Sequence, residues 1–273
     1  MVHFWFQVYN FCRQVTQDVS RKLVVDFGQL EASQKEDGSL VTEADQWADR
    51  EIRQAIKQCF PTHGVLTEET EHILPPNDWC WVIDPIDGTT NFTHGVSVWG
   101  ISIGLLYKGT PVFGFIHFPP IEQTYHGYYY GDTGLTGPQG SFLNNRPIST
   151  SSANGNSSQV FTVCTRSLRV INEQFPCKVR VTGVTSYDLS LIACGATIGT
   201  LERSPKIWDI AGGYPILKAA GGTFISLQEQ NQLFPLIQGV NYGKVAFPCL
   251  AIAHKNLQGQ FYPLTDKIRL ASV

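Results

Sequence analysis

The chain has 273 residues, 42% of them hydrophobic, which is enough for one large domain or two closely packed halves. A formal net charge of −3 and a charged fraction of only 16% provide no strong basic field, so the composition disfavours generic nucleic-acid binding. The seven cysteines are odd in number and contain no Cys-x-x-Cys pair, which indicates a reduced cytosolic protein rather than a disulfide scaffold or a zinc site.

The first predicted element is an amphipathic helix within residues 3–30. Polar residues separate its apolar positions, which recur at helical spacing: Phe4, Val8, Phe11, Val15 and Val19. We interpret it as a core helix, with a membrane-associating helix as the alternative. The segment lacks the basic region and the cleavage site of a signal peptide, and no apolar run is long enough to span a bilayer. We therefore expect no membrane partner.

A second helix is predicted to begin after Thr42 and to stop at Pro61. Thr42 is a suitable N-cap, and Asp45 then occupies the third helical position. An acid at a helix start has a purely structural explanation. Asp45 is therefore only a candidate functional residue at this point.

The next segments are predicted to be strands. A short strand over 63–66 ends in Thr67-Glu68-Glu69-Thr70, and an apolar run over 79–83 leads into Asp84. β-rich segments follow, with Gly109 marking a turn between the first two, which favours an antiparallel meander. These segments cover residues 98–107, 111–118 and 124–130.

The second half of the chain alternates strands and helices. A polar run of small residues over 149–158 is typical of a connection, so we expect a single domain with an N-terminal half of about 1–148 and a C-terminal half of about 159–273. The expected fold class is α/β, with mixed sheets layered with helices. The predicted elements are strand 159–164, strand 178–182, helix 186–196, strand 198–202, a helix from Asp209 to Gly221, and strands 223–227 and 245–253.

Two carboxylates stand three residues apart where the strand over 79–83 ends. Asp84 and Asp87 are followed directly by Gly88-Thr89-Thr90, whose backbone N–H groups and hydroxyls suit a phosphate. Carboxylates this close repel each other unless a hard cation lies between them. The other candidate acids are Glu68, Glu69 and Asp209. Taken singly, Asp84 and Asp87 could cap a turn, Glu68 and Glu69 could be a solvated loop pair, and Asp209 could be a helix N-cap. Together they favour a two-metal site for a phosphate ester.

These residues carry a family resemblance. The run from Asp84 to Phe92, Asp-Pro-Ile-Asp-Gly-Thr-Thr-Asn-Phe, resembles the signature of the inositol monophosphatase family. Trp208-Asp209-Ile-Ala-Gly212, with the later Ala-Gly-Gly222, is similar to the second signature of that family. Glu68-Glu69 and Val41-Thr42-x-x-Asp45 resemble two further elements, and all four occur in the family order. The resemblance implies an αβαβα sandwich of the inositol monophosphatase and fructose-1,6-bisphosphatase type.

The resemblance also implies a set of metal ligands. Glu68, Asp84 and the main-chain carbonyl of Ile86 would hold a first Mg²⁺. Asp84, Asp87 and Asp209 would hold a second, and a third, weaker ion would sit near Glu68. Water activated by a metal would attack the ester, without a covalent phosphoenzyme.

Further roles follow from the same resemblance. Thr89 and Glu68 would orient or deprotonate the attacking water, and Asp45 would hydrogen-bond to Thr89. The N–H groups of Gly88 and Thr89 would receive the phosphate, with Asp87 and Asp209 beside it. The remaining implied residues are the polyol contacts Gly183, Val184, Thr185 and Glu202, and the supporting residues Lys35 and Glu69.

The sequence departs from the family pattern at four places. The loop from Glu69 to Asp84 is a few residues shorter than expected, and Pro215 lies inside the helix opened by Asp209, which we expect it to kink past the first turn. Thr67 replaces the usual glycine before Glu-Glu, and the run 184–187 is bulkier and more polar than is typical. The expected activity is hydrolysis of inositol 1-phosphate, with Li⁺ inhibition and a homodimer implied by the resemblance. Fructose 1,6-bisphosphate, histidinol phosphate and 3′-phosphoadenosine 5′-phosphate remain alternative substrates. A non-catalytic, partner-binding role and a two-metal nuclease are the other classes considered.

Overall fold

Two large β-sheets, one two-stranded pair and three layers of helices make up the computed structural model, which describes residues 2–34, 40–171, 174–228, 233–266 and 268. The described helices are α1 (Val2–Asp26), α2 (Glu43–Cys59), α3 (Thr89–Thr93), α4 (Thr165–Leu168), α5 (Thr185–Ala193), α6 (Ile207–Ala211), α7 (Gly213–Ala219) and α8 (Gln258–Phe261). The described strands are β1 (Ser33–Gln34), β2 (Leu40–Val41), β3 (Gly64–Thr67), β4 (Trp79–Asp87), β5 (Gly100–Tyr107), β6 (Thr110–Phe118), β7 (Gln123–Tyr128), β8 (Gly140–Leu143), β9 (Arg146–Ile148), β10 (Val160–Val163), β11 (Lys178–Arg180), β12 (Gly199–Glu202), β13 (Thr223–Ser226) and β14 (Cys249–Ile252).

The larger sheet has seven strands in the order β3-β4-β5-β6-β7-β8-β9. β3 and β4 are parallel, and every later pair is antiparallel. The predicted meander is therefore confirmed. The smaller sheet has five strands in the order β11-β10-β12-β14-β13, with parallel pairs on the β11 side and antiparallel pairs on the β13 side. The short strands β1 and β2 form a separate antiparallel pair.

The helices occupy three layers around these sheets. α1 and α2 cover one face of the larger sheet, where Val8 and Ile52 pack with Trp81 in one apolar cluster. α5 and α7 lie between the two sheets and contact both, while α6 packs on β4 and β5 of the larger sheet. α8 covers the far face of the smaller sheet, where Phe261 stacks on Phe161 with ring centroids 4.4 Å apart. This order of layers confirms the αβαβα architecture.

The two N-terminal helices form for the reasons that their sequences suggest. α1 buries a stripe at spacings of three and four residues: Trp5, Val8, Cys12, Val15, Val19 and Leu23. Thr42 caps α2, accepting the N–H groups of Ala44 and Asp45, while Asp45 accepts the Thr42 N–H in return. None of the described helices is both long and apolar enough to cross a membrane.

Three glycines form a groove across the larger sheet, and α6 and α7 lie in it. Gly104 of β5 pairs with Gly114 of β6, which pairs in turn with Gly127 of β7. A Cβ on Gly104 would lie 2.6 Å from the Ala211 carbonyl carbon, and one on Gly114 would overlap the Gly212 carbonyl oxygen. Only glycine permits this approach, so the row of glycines fixes where the segment after Asp209 sits.

The structure differs from the predicted elements at several places. The predicted strand over 245–253 is confined to β14, and the short pair β1–β2 was not predicted. The predicted helix from Asp209 to Gly221 is two helices, which meet at Gly212 where the backbone rests on β6. Pro215 was expected to kink this helix, but it lies in the first turn of α7, where a missing N–H removes no helical hydrogen bond. The hairpin β8–β9 was not predicted, since both strands are very short.

Candidate active site

Three aspartates from two distant parts of the chain meet at one end of β4. Asp84 and Asp87 are among its last residues, and Asp209 lies in the first turn of α6. Each offers a carboxylate oxygen, and these three atoms lie within 4.8 Å of one another. Residues three apart in a regular strand face opposite ways, but the pairing with β5 shifts register between Asp84 and Asp87. The extra residue lets both carboxylates face the same site.

Backbone N–H groups hold each of these carboxylates in place. Asp84 Oδ1 accepts the Ile86 N–H at 3.0 Å, and Asp87 Oδ2 accepts the Ser186 N–H of α5 at 2.7 Å. Asp209 Oδ2 accepts the N–H of Lys206, the N-cap of α6, at 2.7 Å. The positions of the acids are thus set by three separate elements, two of which lie in the second half of the chain.

The three acids resist ionisation in one another's presence. Burial and the charges of Glu68, Asp87 and Asp209 raise the pKa of Asp84 well above its usual value. Burial raises the pKa of Asp87 to about 6, and burial with Asp87 and Glu68 raises the pKa of Asp209. None of the ion pairs found among the described residues involves these three aspartates. The cluster contains only oxygen donors, is electrostatically unbalanced, and is buried except for the half-buried Asp209, so it fits a hard divalent cation.

Glu68 lies next to this cluster but outside its tightest part. It follows β3, and its N–H donates to the Ile83 carbonyl at 3.1 Å, which ties it to β4. Its charge contributes to the raised pKa values of Asp45, Asp84, Asp87 and Asp209, so it faces all four. Glu69, the next residue, is half-buried in the same turn.

Two side chains that the sequence analysis missed hold the Glu68 turn. His72 Nε2 donates to the Glu68 carbonyl at 2.7 Å, and the His72 ring stacks on Trp208, beside Asp209. On the other side, the Thr70 hydroxyl donates to Asp49 Oδ2 at 3.0 Å. Neither residue has a diagnostic spacing in the sequence, because both act through contacts with other elements.

Thr67, which stands where the family pattern has glycine, has a clear structural use. Its hydroxyl oxygen accepts the N–H groups of Thr70 at 3.2 Å and Glu71 at 3.4 Å. It is fully buried at the end of β3. The hydroxyl therefore closes the turn that carries Glu68.

Asp45 and Thr89 join α2 to the turn after β4. Asp45 Oδ2 accepts the Thr42 N–H at 2.7 Å and the Thr42 hydroxyl at 2.6 Å. Thr89 Oγ1 lies 3.1 Å from Asp45 Oδ1 and 3.2 Å from the Ile86 carbonyl oxygen, so its single hydrogen serves one of them at a time. Burial, opposed by the Thr42 hydrogen bonds, raises the pKa of Asp45 to about 6.

Gly88 makes the turn between β4 and α3 possible. Its φ of 98° lies in the left-handed region that favours glycine, and a Cβ there would come within 2.7 Å of Val184 Cγ2. Thr89 and Thr90 then form the first turn of α3. The turn therefore passes close to the segment that opens α5.

A cleft of about 460 Å³ extends from the aspartates into the second half of the chain. Asp87 and Asp209 line one part of it, and all four predicted polyol contacts line it as well. These contacts are Gly183, Val184, Thr185 and Glu202. The structure thus brings the predicted substrate residues and two of the predicted metal ligands into one cavity.

Glu202 ends β12 and is 2% exposed. Its Oε1 accepts the Thr200 hydroxyl at 2.9 Å, and its Oε2 lies 3.5 Å from the Thr185 hydroxyl. Burial raises the pKa of Glu202 to about 7, although hydrogen bonds from Thr200, Cys164 and Asp188 oppose this. Asp188, a cleft residue of α5 that the sequence analysis did not identify, hydrogen-bonds to Glu202. Lys35, a predicted supporting residue, lies outside the described residues.

Comparison with known proteins gives a consistent result. The model of the inositol monophosphatase family matches residues 6–268. An inositol-1-monophosphatase of Synechocystis is 36% identical over 197 residues, which span 68% of this chain and 66% of that protein, just under two thirds of its length. A histidinol-phosphatase of Chlorobaculum parvum is 34% identical over 74% of this chain and 79% of its own. The crystal structure of the extragenic suppressor protein SuhB from Bartonella henselae superposes with a TM-score of 0.78 at 26% identity, covering 96% of this chain and 98% of that one.

Proposed function

The chain belongs to the inositol monophosphatase family, whose members hydrolyse phosphate monoesters, and from this we propose that it is a metal-dependent phosphatase of a small phosphorylated polyol. The observation that carries the proposal is the cluster of Asp84, Asp87 and Asp209, whose carboxylate oxygens lie within 4.8 Å of one another at a cleft of about 460 Å³. A cleft of this size admits a ligand as small as a sugar phosphate. Inositol 1-phosphate is the substrate we propose.

Mg²⁺ is the cofactor we propose, because every donor in the cluster is an oxygen. Asp84, Asp87 and Asp209 would hold one ion, and Glu68 with Asp84 and the Ile86 carbonyl would hold another. Bound divalent cations neutralise a phosphate ester and make water more acidic. The buried, mutually repelling carboxylates described above are what such ions would stabilise.

Asp45 and Thr89 would control the orientation of the attacking water. When Asp45 Oδ1 accepts the Thr89 hydroxyl hydrogen, the lone pairs of Thr89 Oγ1 are left to accept a hydrogen bond from water. Asp45 is itself fixed by two donors from Thr42. Glu68 faces the same space and would take the proton that the water releases.

The decisive experiment is a substrate panel with Mg²⁺. Phosphate release would be measured from inositol 1-phosphate, fructose 1,6-bisphosphate, histidinol phosphate and 3′-phosphoadenosine 5′-phosphate. We expect turnover of inositol 1-phosphate by the wild type and none by Asp84→Asn, with the fold of the variant retained in circular dichroism. The mechanism fails if the wild type releases phosphate from no member of the panel, or if the variant is as active.

Histidinol phosphate is the second candidate substrate, because the C. parvum histidinol-phosphatase is a relative at 34% identity. The cleft wall is acidic through Asp188 and Glu202, which would also suit a substrate amine. A kcat/KM for histidinol phosphate above that for inositol 1-phosphate would identify this activity. Absence of turnover with both, together with a folded, Mg²⁺-binding protein, would favour a partner-binding role.

Three further properties complete the proposal. We propose a homodimer, to be tested by light scattering, and inhibition by Li⁺, to be tested as a loss of phosphate release. We also propose a cytosolic location, which fits the seven free cysteines and is checked by fractionating cells. The division into halves of about 1–148 and 159–273 remains a prediction, and limited proteolysis near residues 149–158 would test it.

A further inference from the structure

A second pair of buried carboxyl groups lies in the wall of the cleft. Asp188 projects from α5 and Glu202 ends β12, and the two are only 1% and 2% exposed. Their side chains hydrogen-bond to each other. Two carboxylates that are both ionised have no hydrogen to share, so this contact requires a proton between them.

The groups that surround the pair are neutral donors. The Thr182 hydroxyl donates to Asp188 Oδ1 at 2.7 Å, and Thr162 also hydrogen-bonds to Asp188. Glu202 accepts from the Thr200 hydroxyl at 2.9 Å. Hydroxyls stabilise one negative charge in a buried site but do not compensate two.

The charged and titratable groups of the neighbouring elements do not remedy this. Asp87 of β4 raises the pKa of Glu202 further. The Cys164 thiol at the N-cap of α4 and the Cys249 thiol of β14 lie near Glu202 and provide no positive charge. Arg166 lines the same cleft, but its guanidinium donates to the Ser204 hydroxyl at 2.8 Å and is exposed to solvent. Arg203 follows Glu202 directly, and its N–H donates to Cys164 Sγ.

We infer that Asp188 and Glu202 share a single proton, and that Asp188 is a positioning residue which holds Glu202 as the acceptor for hydroxyl groups of the substrate. This inference rests on the proposed function. The pair would then recognise neutral hydroxyl groups of the substrate, because a hydroxyl donates a hydrogen bond to a single carboxylate and needs no second negative charge. Asp188 therefore contributes to specificity without touching the ester.

A pH limit on substrate binding follows from the shared proton. At a pH below the upper pKa of the pair, the two carboxyl groups keep the shared proton and Glu202 keeps its position. As the pH rises through that pKa, the proton is lost and two anions repel each other in a buried site. Burial raises the pKa of Glu202 to about 7 and that of Asp188 well above its usual range, so the rise in KM belongs on the alkaline side. Changes in the metal-assisted hydrolysis step would alter kcat rather than KM.

Two substitutions of Asp188 test the inference. Asp188→Leu removes the hydrogen bond, and we expect KM for inositol 1-phosphate to rise by about 10-fold or more, the value of one hydrogen bond to a charged group, with a much smaller change in kcat. Asp188→Asn keeps a permanent N–H donor toward Glu202, so it should recover most of this KM and lose the alkaline rise. The readouts are KM and kcat from pH 6 to pH 9.

Infrared spectroscopy of the Mg²⁺-loaded enzyme tests the proton itself and needs no substrate. At neutral pH the wild type should show a protonated-carboxyl band that Asp188→Asn lacks. Asp18→Asn is the control, since Asp18 is an exposed aspartate of α1 that pairs with Arg21 and does not line the cleft, and it should keep this band and the alkaline rise in KM.

Two outcomes would overturn the inference. One is an identical band in the wild type and Asp188→Asn, and the other is a KM profile that Asp188→Leu leaves unchanged. If no ester of the panel is turned over, the proposed function fails by itself, while the infrared comparison still decides whether the pair shares a proton.

Discussion

Replacing Asp84 by asparagine should abolish turnover and yet stabilise the metal-free protein. The substitution preserves the size of the side chain and an oxygen that accepts the Ile86 N–H at 3.0 Å. It removes one charge from a cluster of three, in which Asp84 and Asp87 are buried and Asp209 is half-buried. Function and stability are therefore expected to move in opposite directions at this position.

The size of the effect follows from the geometry. Two unit charges separated by the 4.8 Å that bounds the cluster repel by about 3.5 kcal/mol at an effective dielectric constant of about 20. A carboxyl group escapes a larger repulsion by binding a proton. Protonating a group whose usual pKa is 3.8 costs about 4 kcal/mol at pH 7, which sets an upper limit on the repulsion. We therefore expect Asp84→Asn to raise the free energy of unfolding of the metal-free protein by about 3 kcal/mol.

The pH dependence has a definite sign. The pKa of Asp87 is about 6 in the folded protein and 3.8 in the unfolded chain. Between these values the folded state keeps protons that the unfolded state has lost, so stability of the metal-free protein falls as the pH rises from about 4 to 6. Asp84→Asn should flatten this fall, because it lowers the repulsion on its neighbours.

Urea unfolding with EDTA and with Mg²⁺ provides the measurement. The wild type should gain stability from Mg²⁺ at pH 7, and the variant should gain little. Asp49→Asn is the matched control with the opposite sign, since Asp49 is fully buried but paired with Arg53 at 3.4 Å, and its loss should destabilise the protein by about 1–3 kcal/mol. A metal-free Asp84→Asn that is less stable than the wild type would refute the electrostatic argument.

Three other predictions concern positioning and packing. Thr89→Val, which removes the hydroxyl beside Asp45, should lower kcat by about 10²-fold or more in the phosphate-release assay, while Thr89→Ser should retain most activity. Thr70→Val should loosen the Glu68 turn and raise the Mg²⁺ concentration for half-maximal activity, and an unchanged Mg²⁺ titration would contradict that link. Gly114→Ala should destabilise the protein by about 3 kcal/mol in thermal unfolding, whereas Gly259→Ala, which meets no atom within 4 Å, should not destabilise it.

Local patterns predicted where each acid lies in its own element, and the resemblance to the family predicted that the acids meet. Asp84 and Asp87 lie at the end of a strand that is recognisable from its apolar run, and Asp209 lies in the first turn of α6, shortly before α7 and the double glycine that follows it. The capping box of Thr42 and Asp45 is a short-range pattern as well. The layered architecture followed from the order of these elements and was confirmed.

Residues that act through tertiary contacts could not be predicted. His72, Thr70 and Asp188 lack a characteristic spacing, and each matters because of a partner on another element. The hairpin β8–β9 was missed for a different reason. Its strands are too short for a periodic signal, although Asn144 and Asn145, both at positive φ, mark the two-residue turn.

The row of glycines in the larger sheet also acts as a check on how that sheet is assembled. Gly104, Gly114 and Gly127 stand side by side only when β5, β6 and β7 pair in the native register. A slip of one strand by two residues preserves the inward-facing pattern but places a side chain where Gly212 must lie. α6 could not then pack against the sheet, and Asp209 would not reach the other two aspartates. A metal ion held by the three aspartates would therefore favour the native strand alignment, because only a correctly registered sheet brings the three carboxylates together.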